Sequence, residues 1–243
     1  MVISYRGQMG EITFIRHGQA SFGKGDYDVL SGRGREQSAI SGRYLAQCGH
    51  RFNSAYCGTL SRQKDTADII LRSMEESGAV PRLSQDKGFN EYQSDEIIHH
   101  YIPLVVAEDA ALVPLLEKIF TDRRSFQMIF ERVIAKWVAG EDAAEGVEGW
   151  GAFRQRVGDS VNSIISANGR DGNAVVFSSG GVISALIQIA TGMSPFEAMR
   201  LGWGLVNCSI TRFRHGSSGL ILHSFNNYAH FEVNNLREFI TYR

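Results

Sequence analysis

The chain has 243 residues, of which 43% are hydrophobic and 21% are charged, and its formal net charge at pH 7 is −1. This is the composition of an ordinary globular protein with a sizeable core, and it excludes general disorder. The near-neutral charge excludes a global attraction to nucleic acid or to an anionic membrane, so any affinity for an anion must be local.

The number and spacing of cysteines and the N-terminal sequence indicate the cellular compartment in which the protein is expected. Cys48, Cys57 and Cys208 are odd in number and lack C-x-x-C spacing, which argues against a disulfide framework or a zinc cluster. The opening run MVISYRGQMGEITFIR has no apolar stretch long enough for a signal peptide. No segment approaches the roughly 18 apolar residues of a membrane span. We therefore expect a soluble, cytoplasmic protein with no membrane partner.

Strand and helix patterns alternate along the first third of the chain. The apolar run EITFIR predicts a buried strand, and the turn-rich RHGQASFGKGDYD after it predicts a loop at the carboxyl end of that strand. Ser31 is suited to cap a following helix. The predicted elements here are strands over 11–16, 53–60 and 80–86 and helices over 31–49 and 61–77.

The pattern changes over about 95–149, where long polar-studded helices are predicted without a convincing strand. Such an insertion forms either a cap that borders an active site or extra helices that stabilise a sheet face. Beyond it, NAVVFS is the most strand-like run of the chain. The predicted elements here are a helix over about 150–168, a strand over 173–178, a helix over 180–192 and a hairpin with a Gly-containing turn over 208–225.

This order of elements predicts an α/β fold with three α/β/α layers, a mostly parallel sheet, an antiparallel edge and a helical cap insertion. We expect a single domain over 1–243 with the insertion at about 95–150. In such sheets ligands bind beyond the carboxyl ends of the strands, where three strand-to-helix turns of this chain converge.

Basic residues stand at two of these turns. Arg16, His17 and Gly18 directly follow the first strand, a position that gives weight to an otherwise weak tripeptide. Arg62 begins the second helix, where the helix dipole disfavours a cation unless an anionic ligand is bound. Read without a ligand, Arg62 is simply an exposed arginine.

Two further segments that follow predicted strands carry Glu91 and the run from Ser178 to Gly181. Glu91 follows the third strand, where a glutamate is most often a solvated or capping residue. The amides of Gly180 and Gly181 at a helix start can receive an anion, although a plain N-cap at Ser179 accounts for the same pattern.

In their order along the chain, these motifs resemble the histidine phosphatase superfamily, which includes phosphoglycerate mutases, fructose bisphosphatases and phosphohistidine phosphatases. The resemblance extends from Glu11 to about Phe231. Its marks are RHGQ at 16–19, an LSxxGREQ-like run at 30–37, TLSRxxxTA at 59–67, the late FSSGGVI, and FNN…H at 225–230.

The resemblance implies a role for each of these residues. His17 is the expected nucleophile and Glu91 the expected proton donor, with Asp95 and Glu96 in reserve. The arginines are expected to neutralise phosphate without a metal ion, so neither a metal nor another cofactor is implied. The expected phosphate-binding residues are Arg16, Arg62, Ser179, Gly180 and Gln19.

Ser179 departs from the resemblance, because most family members have a second histidine there that donates to the transferred phosphoryl group. A serine hydroxyl is a shorter and neutral donor, which weakens catalysis. The adjacent His99 and His100 are expected to be solvated, and His230 is expected to be structural.

The resulting hypothesis is a metal-independent phosphatase that hydrolyses a small phosphomonoester through a phosphohistidine. Two alternatives remain: a noncatalytic phospholigand-binding protein, and a phosphoglycerate mutase-type phosphotransferase. A mutase needs more basic residues around the pocket, and Arg123 and Arg124 are the only adjacent arginine pair in the insertion. The expected partner is a small phosphorylated substrate, with no nucleic acid, and the apolar hairpin edge could pair in a homodimer.

Overall fold

A mixed sheet of six strands forms the centre of the structure, a computed structural model that describes residues 9–21, 28–75, 77–119, 121–143, 145–216 and 219–242. The strands are β1 (Gly10–Arg16), β2 (Ser54–Cys57), β3 (Leu83–Gln85), β4 (Asn173–Ser178), β5 (Ile210–Gly216) and β6 (Gly219–Asn227). Their order is β3-β2-β4-β1-β5-β6. The first four are parallel, and β5 and β6 form an antiparallel edge, as predicted.

Helices cover both faces of this sheet. The side chains of β1 alternate, so that Ile15 packs with Leu45 and Ile70 in one core while Ile12 and Phe14 pack into a larger core on the opposite face. This alternation produces the predicted three layers. The helices are α1 (Gly32–Gln47), α2 (Ser61–Glu75), α3 (Ser94–Glu108), α4 (Val113–Leu116), α5 (Arg123–Ala139), α6 (Trp150–Asn168), α7 (Gly180–Thr191), α8 (Pro195–Trp203) and α9 (Ala229–Glu232).

The insertion is helical, as predicted, and its described residues contain α3, α4 and α5 but no strand. Its apolar side chains, among them Ile97, Val133 and Trp137, belong to the same core as Phe153 of α6 and Val182 of α7. None of the described helices is both long enough and apolar enough to cross a bilayer.

Three elements differ from the sequence prediction. The strand predicted over 80–86 has only 3 residues, because β3 is an edge strand and two of its three side chains are exposed. The α8 helix was not predicted, although Ser194 and Glu197 form a capping box around its start. The short α9 helix was not predicted either. The hairpin of β5 and β6 is confirmed, while its turn at 217–218 and the loop segment at 22–27 lie outside the described residues.

The register of β1 and β4 determines which predicted site residues are neighbours. Arg16 of β1 lies opposite Ser178 of β4 at the carboxyl ends of both strands. The backbone N–H of His17 then donates to the carbonyl of Ser178 at 2.8 Å. The residues that follow β1 and β4 are therefore neighbours, as expected for the carboxyl edge of a parallel sheet.

Candidate active site

His17 lies at the end of β1 with only 3% of its surface exposed. Its Nδ1 is 2.8 Å from the carbonyl oxygen of Gly18. Because a carbonyl only accepts, the neutral ring carries its proton on Nδ1 and has a lone pair on Nε2. Burial, followed by the charges of Arg62 and Arg16, holds the pKa of His17 well below its usual value. The ring is thus neutral and suited to act as a nucleophile.

The backbone around His17 is fixed from three sides. The N–H of Gly18 donates to Thr66 Oγ1 at 3.0 Å, and the carbonyl of His17 accepts from Asn207 Nδ2 at 3.1 Å. A Cβ atom at Gly18 would lie 2.4 Å from the carbonyl oxygen of Gly34, so this loop requires glycine. The position of the imidazole is therefore set by the ends of β1, α1 and α2.

Arg62 lies in the first turn of α2 and is 8% exposed. Its Nη1 donates to Asp28 Oδ1 at 2.9 Å, and Asp28 Oδ2 also accepts from the N–H of Ser61 at 2.7 Å. Asp28 thus caps α2 and orients the guanidinium beside His17. This carboxylate offsets part of the cost of placing a cation at a helix N-terminus.

Arg16 directly precedes His17 in the chain, and its charge also acts on the imidazole. Its guanidinium donates through Nη1 to the carbonyl of Leu205 and through Nη2 to the carbonyl of Tyr242, the latter at 3.3 Å. Arg16 Nε is close to Gly180, because a Cβ atom there would lie 4.0 Å from it. Arg16 and Arg62 together supply the positive charge of the site.

Glu91 follows β3 and reaches the start of α7. Its Oε2 accepts from the N–H of Gly181 at 3.1 Å. Loss of solvation raises the pKa of this carboxyl, while the Gly181 N–H, Arg62 and Arg16 act in the opposite direction. A Cβ at Gly181 would lie 2.2 Å from Glu91 Oε1, so the absence of a side chain at Gly181 makes room for the carboxyl.

Arg156 of α6 holds the segment that carries Glu91. Its Nη1 donates to the carbonyls of Gly88 and Asn90 at 2.8 and 2.9 Å. Its Nε pairs with the carboxylate of Glu148 at 2.6 Å. This half-buried ion pair fixes the backbone immediately before Glu91.

Ser179 is fully buried in the turn between β4 and α7. It occupies the N-cap position of α7, but its side chain makes no capping hydrogen bond. Its Oγ instead lies 2.9 Å from Gln63 Nε2. The plain N-cap interpretation of this turn is therefore incomplete, because the hydroxyl interacts with α2.

Gln19 and Gly180 border the same site. Gln19 Oε1 accepts from the hydroxyl of Ser31 at 3.0 Å, and the N–H of Gln19 donates to Gln37 Oε1 at 2.8 Å. Gly180 forms the first turn of α7 beside Arg16. The structure thus brings the predicted residues His17, Arg16, Arg62, Glu91, Ser179, Gly180 and Gln19 to one edge of the sheet.

The reserve carboxylates and the remaining histidines have other surroundings. Asp95 and Glu96 are exposed in the first turn of α3, and His99 is exposed in the next turn. His100 Nε2 lies 2.7 Å from the carbonyl of Asp142. His230 is buried and its Nε2 lies 3.0 Å from Ser41 Oγ, which agrees with a structural role.

Sequence reasoning missed Asp28, Gln63 and Asn207. Each contacts a predicted residue through a side-chain hydrogen bond. The only available signal was the position of Gln63 beside Arg62 in the first turn of α2; nothing in the sequence marks Asp28 or Asn207. Among the described residues, no three His, Cys, Asp or Glu side chains converge as a metal ion requires.

A family model described as "Histidine phosphatase superfamily (branch 1)" matches residues 12–100 and 121–228. The mitochondrial serine/threonine-protein phosphatase PGAM5 of Xenopus laevis is 43% identical over 63 residues, which are 25% of this chain and 23% of that protein. The 2,3-bisphosphoglycerate-dependent phosphoglycerate mutase of Borreliella burgdorferi (strain ZS7) is 29% identical over 111 residues, which are 37% of this chain and 45% of that protein. The chain thus spans less than half the length of these curated relatives.

Solved structures of similar fold match almost the whole chain. A phosphoserine phosphatase mutant of Entamoeba histolytica in complex with phosphoserine has a TM-score of 0.60 and 18% identity, covering 91% of this chain and 99% of its own. A mycobacterial glucosyl-3-phosphoglycerate phosphatase has a TM-score of 0.61 and 18% identity, covering 89% and 98%. At these identities the likeness shows the fold.

Proposed function

The chain belongs to the histidine phosphatase superfamily, and from that premise we propose that it is a metal-independent phosphatase that hydrolyses a small phosphomonoester through a phosphohistidine. The observation that carries this proposal is a neutral, buried His17 close enough to Arg62 and Arg16 for both charges to act on it, with Glu91 near the same two arginines. The phosphatases and the mutase among its relatives and structural neighbours agree with phosphoryl chemistry.

In the first step, His17 Nε2 attacks phosphorus and the bond from phosphorus to the leaving oxygen breaks. Arg16 and Arg62 neutralise the equatorial oxygens, since guanidinium groups match phosphate geometry. Protonated Glu91 gives its proton to the leaving oxygen, and the alcohol departs. A carboxyl whose pKa is raised by lost solvation is suited to this role.

In the second step, water attacks the phosphohistidine while the Glu91 carboxylate takes its proton. The bond between phosphorus and Nε2 breaks, its electron pair returns to the imidazole, and inorganic phosphate is released. Glu91 regains the proton it gave, so each turnover consumes one water and no other reagent. The carbonyl of Gly18 keeps the ring proton on Nδ1 throughout.

In this proposal, Ser179 stands where most members of the family have a second histidine. Its hydroxyl supplies a neutral donor to the phosphoryl group, and the amides at the start of α7 supply partial positive charge. We also propose that the helical insertion belongs to the same single domain, because it shares one apolar core with α6 and α7.

The test is hydrolysis of p-nitrophenyl phosphate in EDTA by wild type and His17→Ala. A matched control is His223→Ala, which removes an exposed histidine of β6. We expect turnover by wild type and the control and none by His17→Ala. Equal inertness of all three proteins, with phosphate still bound, would contradict the enzyme and favour the noncatalytic phospholigand-binding protein, for which the neutral Ser179 is the supporting observation.

A further inference from the structure

Gln63 connects the arginine turn of α2 to the serine turn of α7. It follows Arg62 in sequence and is fully buried. Its side chain places Nε2 at 2.9 Å from the carbonyl of Phe89 and at 2.9 Å from Ser179 Oγ. The side-chain amide of Gln63 therefore connects three segments: the start of α2, the segment before Glu91, and the turn before α7.

The chemistry of these partners fixes the orientation of the amide. The carbonyl of Phe89 has no proton to give, so the NH2 group of Gln63 must face it. The second N–H of the same nitrogen then points to Ser179 Oγ. Both protons of the amide are thus used, and the serine oxygen acts as an acceptor in this contact.

This arrangement leaves the hydroxyl proton of Ser179 for a different acceptor. The side chain does not cap α7. Ser179 follows the residue whose carbonyl accepts from the N–H of His17, so its backbone lies close to that of the proposed nucleophile. An oxygen that accepts one hydrogen bond becomes a better donor in another, because such chains polarise one another.

We infer that Gln63 is a positioning residue that holds Ser179 as a hydrogen-bond donor to the transferred phosphoryl group. The pair of Gln63 and Ser179 performs, without a positive charge, the donor function that the second histidine has elsewhere in the family. The inference rests on the proposed phosphatase function and adds to it a residue that does not contact the substrate.

Two features show that the position of the Gln63 side-chain amide lowers the stability of the fold. Gln63 Oε1 is buried, and among the described residues it finds no hydrogen-bond partner. A Cβ atom at Gly58 would lie 1.9 Å from this oxygen, so the carbonyl fits only because Gly58 has no side chain. A buried acceptor without a partner costs free energy of folding, so Gln63 is better explained by its contact with Ser179 than by stability.

The experiment is a double-mutant cycle on the full chain with Gln63→Met, Ser179→Ala and the double variant, measured as kcat and KM for p-nitrophenyl phosphate in EDTA. Methionine keeps the length of glutamine and removes both donors. Gln188→Met is the matched control, because Gln188 accepts from Trp150 Nε1 in the last turn of α7, away from the site. Thermal unfolding of each variant reports folding separately.

We expect Ser179→Ala to lower kcat about 10²-fold, the loss typical of one transition-state donor. We expect Gln63→Met to lower kcat about 10-fold, as for one orienting hydrogen bond, with KM changed less than about 3-fold and Tm not lowered. The double variant should be no slower than Ser179→Ala, since Gln63 acts only through that hydroxyl.

Losses that multiply in the double variant, or a Gln63→Met variant as active as Gln188→Met, would overturn the inference while leaving the phosphatase intact. If Gln63→Met does not fold, Gln63→Leu provides the same test, because leucine also has no donor for Ser179, places no charge in this buried position, and must also lower kcat. Equal turnover by wild type and His17→Ala would instead overturn the proposed function, and the inference with it.

Discussion

Two buried histidines of this chain have opposite surroundings. His17, 3% exposed, lies at the edge of the sheet within the influence of two arginine charges, whereas His230, 0% exposed, packs against the rings of Tyr44 and Phe231. Burial lowers the pKa of both. In His230 burial is the only cause, and it lowers the pKa to about 4. In His17 the arginine charges add to it.

The comparison shows that a depressed pKa does not by itself mark a reactive histidine. Both rings are neutral near pH 7, but only His17 has nearby cations to bind an anionic substrate and a carboxyl to move a proton. His230 has a hydroxyl partner, Ser41, and otherwise aromatic neighbours. A reactive histidine is therefore distinguished by nearby cations that can bind an anionic substrate, and not by its lowered pKa alone.

The largest expected effect is a loss of turnover, and it tests the difference between His17 and His230. His17→Ala should abolish phosphatase turnover, a loss of at least about 10³-fold, because the nucleophile is gone. His230→Phe should keep kcat within about 3-fold of wild type, since it changes only packing. Steady-state kinetics on folded protein checks both, and a His230→Phe variant as inactive as His17→Ala would refute the distinction.

Glu91→Gln tests whether this carboxyl donates a proton to the leaving oxygen. With an alkyl phosphate, whose leaving oxygen needs a proton, kcat/KM should fall about 10²–10³-fold. With p-nitrophenyl phosphate the loss in kcat/KM should be smaller, because nitrophenolate leaves without protonation. The measurement compares kcat/KM for the two substrates, since this ratio reports phosphoenzyme formation and not the later hydrolysis in which Glu91 activates water, and equal losses on both would argue against proton donation by Glu91. Asp95→Asn, an exposed carboxyl of α3, is the control and should change neither.

Arg62→Lys tests the cation next to His17. Lysine keeps the charge but loses the fork that pairs with Asp28 and reaches phosphate, so kcat/KM should fall about 10²-fold. Asp28→Asn should have a smaller effect, since it only loosens the orientation of Arg62. Inorganic phosphate binding by calorimetry provides the second measurement. An unchanged affinity in Arg62→Lys would place the phosphate elsewhere.

The smallest effect is on stability and belongs to His230. Its pKa falls from 6.5 unfolded to about 4 folded, so between these values the unfolded chain binds more protons. The free energy of unfolding therefore decreases as the pH falls from 6.5 towards 4, by roughly 2 kcal/mol at pH 5 for this group. His17, whose pKa is also lowered, contributes in the same direction.

Denaturant titration of wild type and His230→Phe at pH 7 and pH 5 measures this contribution. The variant should lose less stability than wild type over that interval, because its position 230 no longer binds a proton on unfolding. An equal loss in both proteins would mean that His230 is protonated as easily in the folded state as in the unfolded one.

The sequence predicted the parts of the molecule that depend on local pattern. The strand before His17 and the capped helix after Ser31 were predictable because apolar runs and N-caps are local signals. The convergence of His17, Arg62 and Ser179 followed from a rule of parallel sheets. The Gln63 contact with Ser179 could not be predicted, because it spans 116 positions and depends on side-chain direction.

Direct trapping of the phosphoenzyme tests the proposal that hydrolysis proceeds through a phosphohistidine at His17. Wild type should be mixed with a labelled phosphomonoester, quenched within milliseconds, and analysed by mass spectrometry for acid-labile phosphate on each residue. Our account predicts acid-labile phosphate on His17 that decays as inorganic phosphate appears and is absent from His17→Ala. Turnover without any phosphoenzyme, or an acid-stable phosphoester on Ser179, would contradict it.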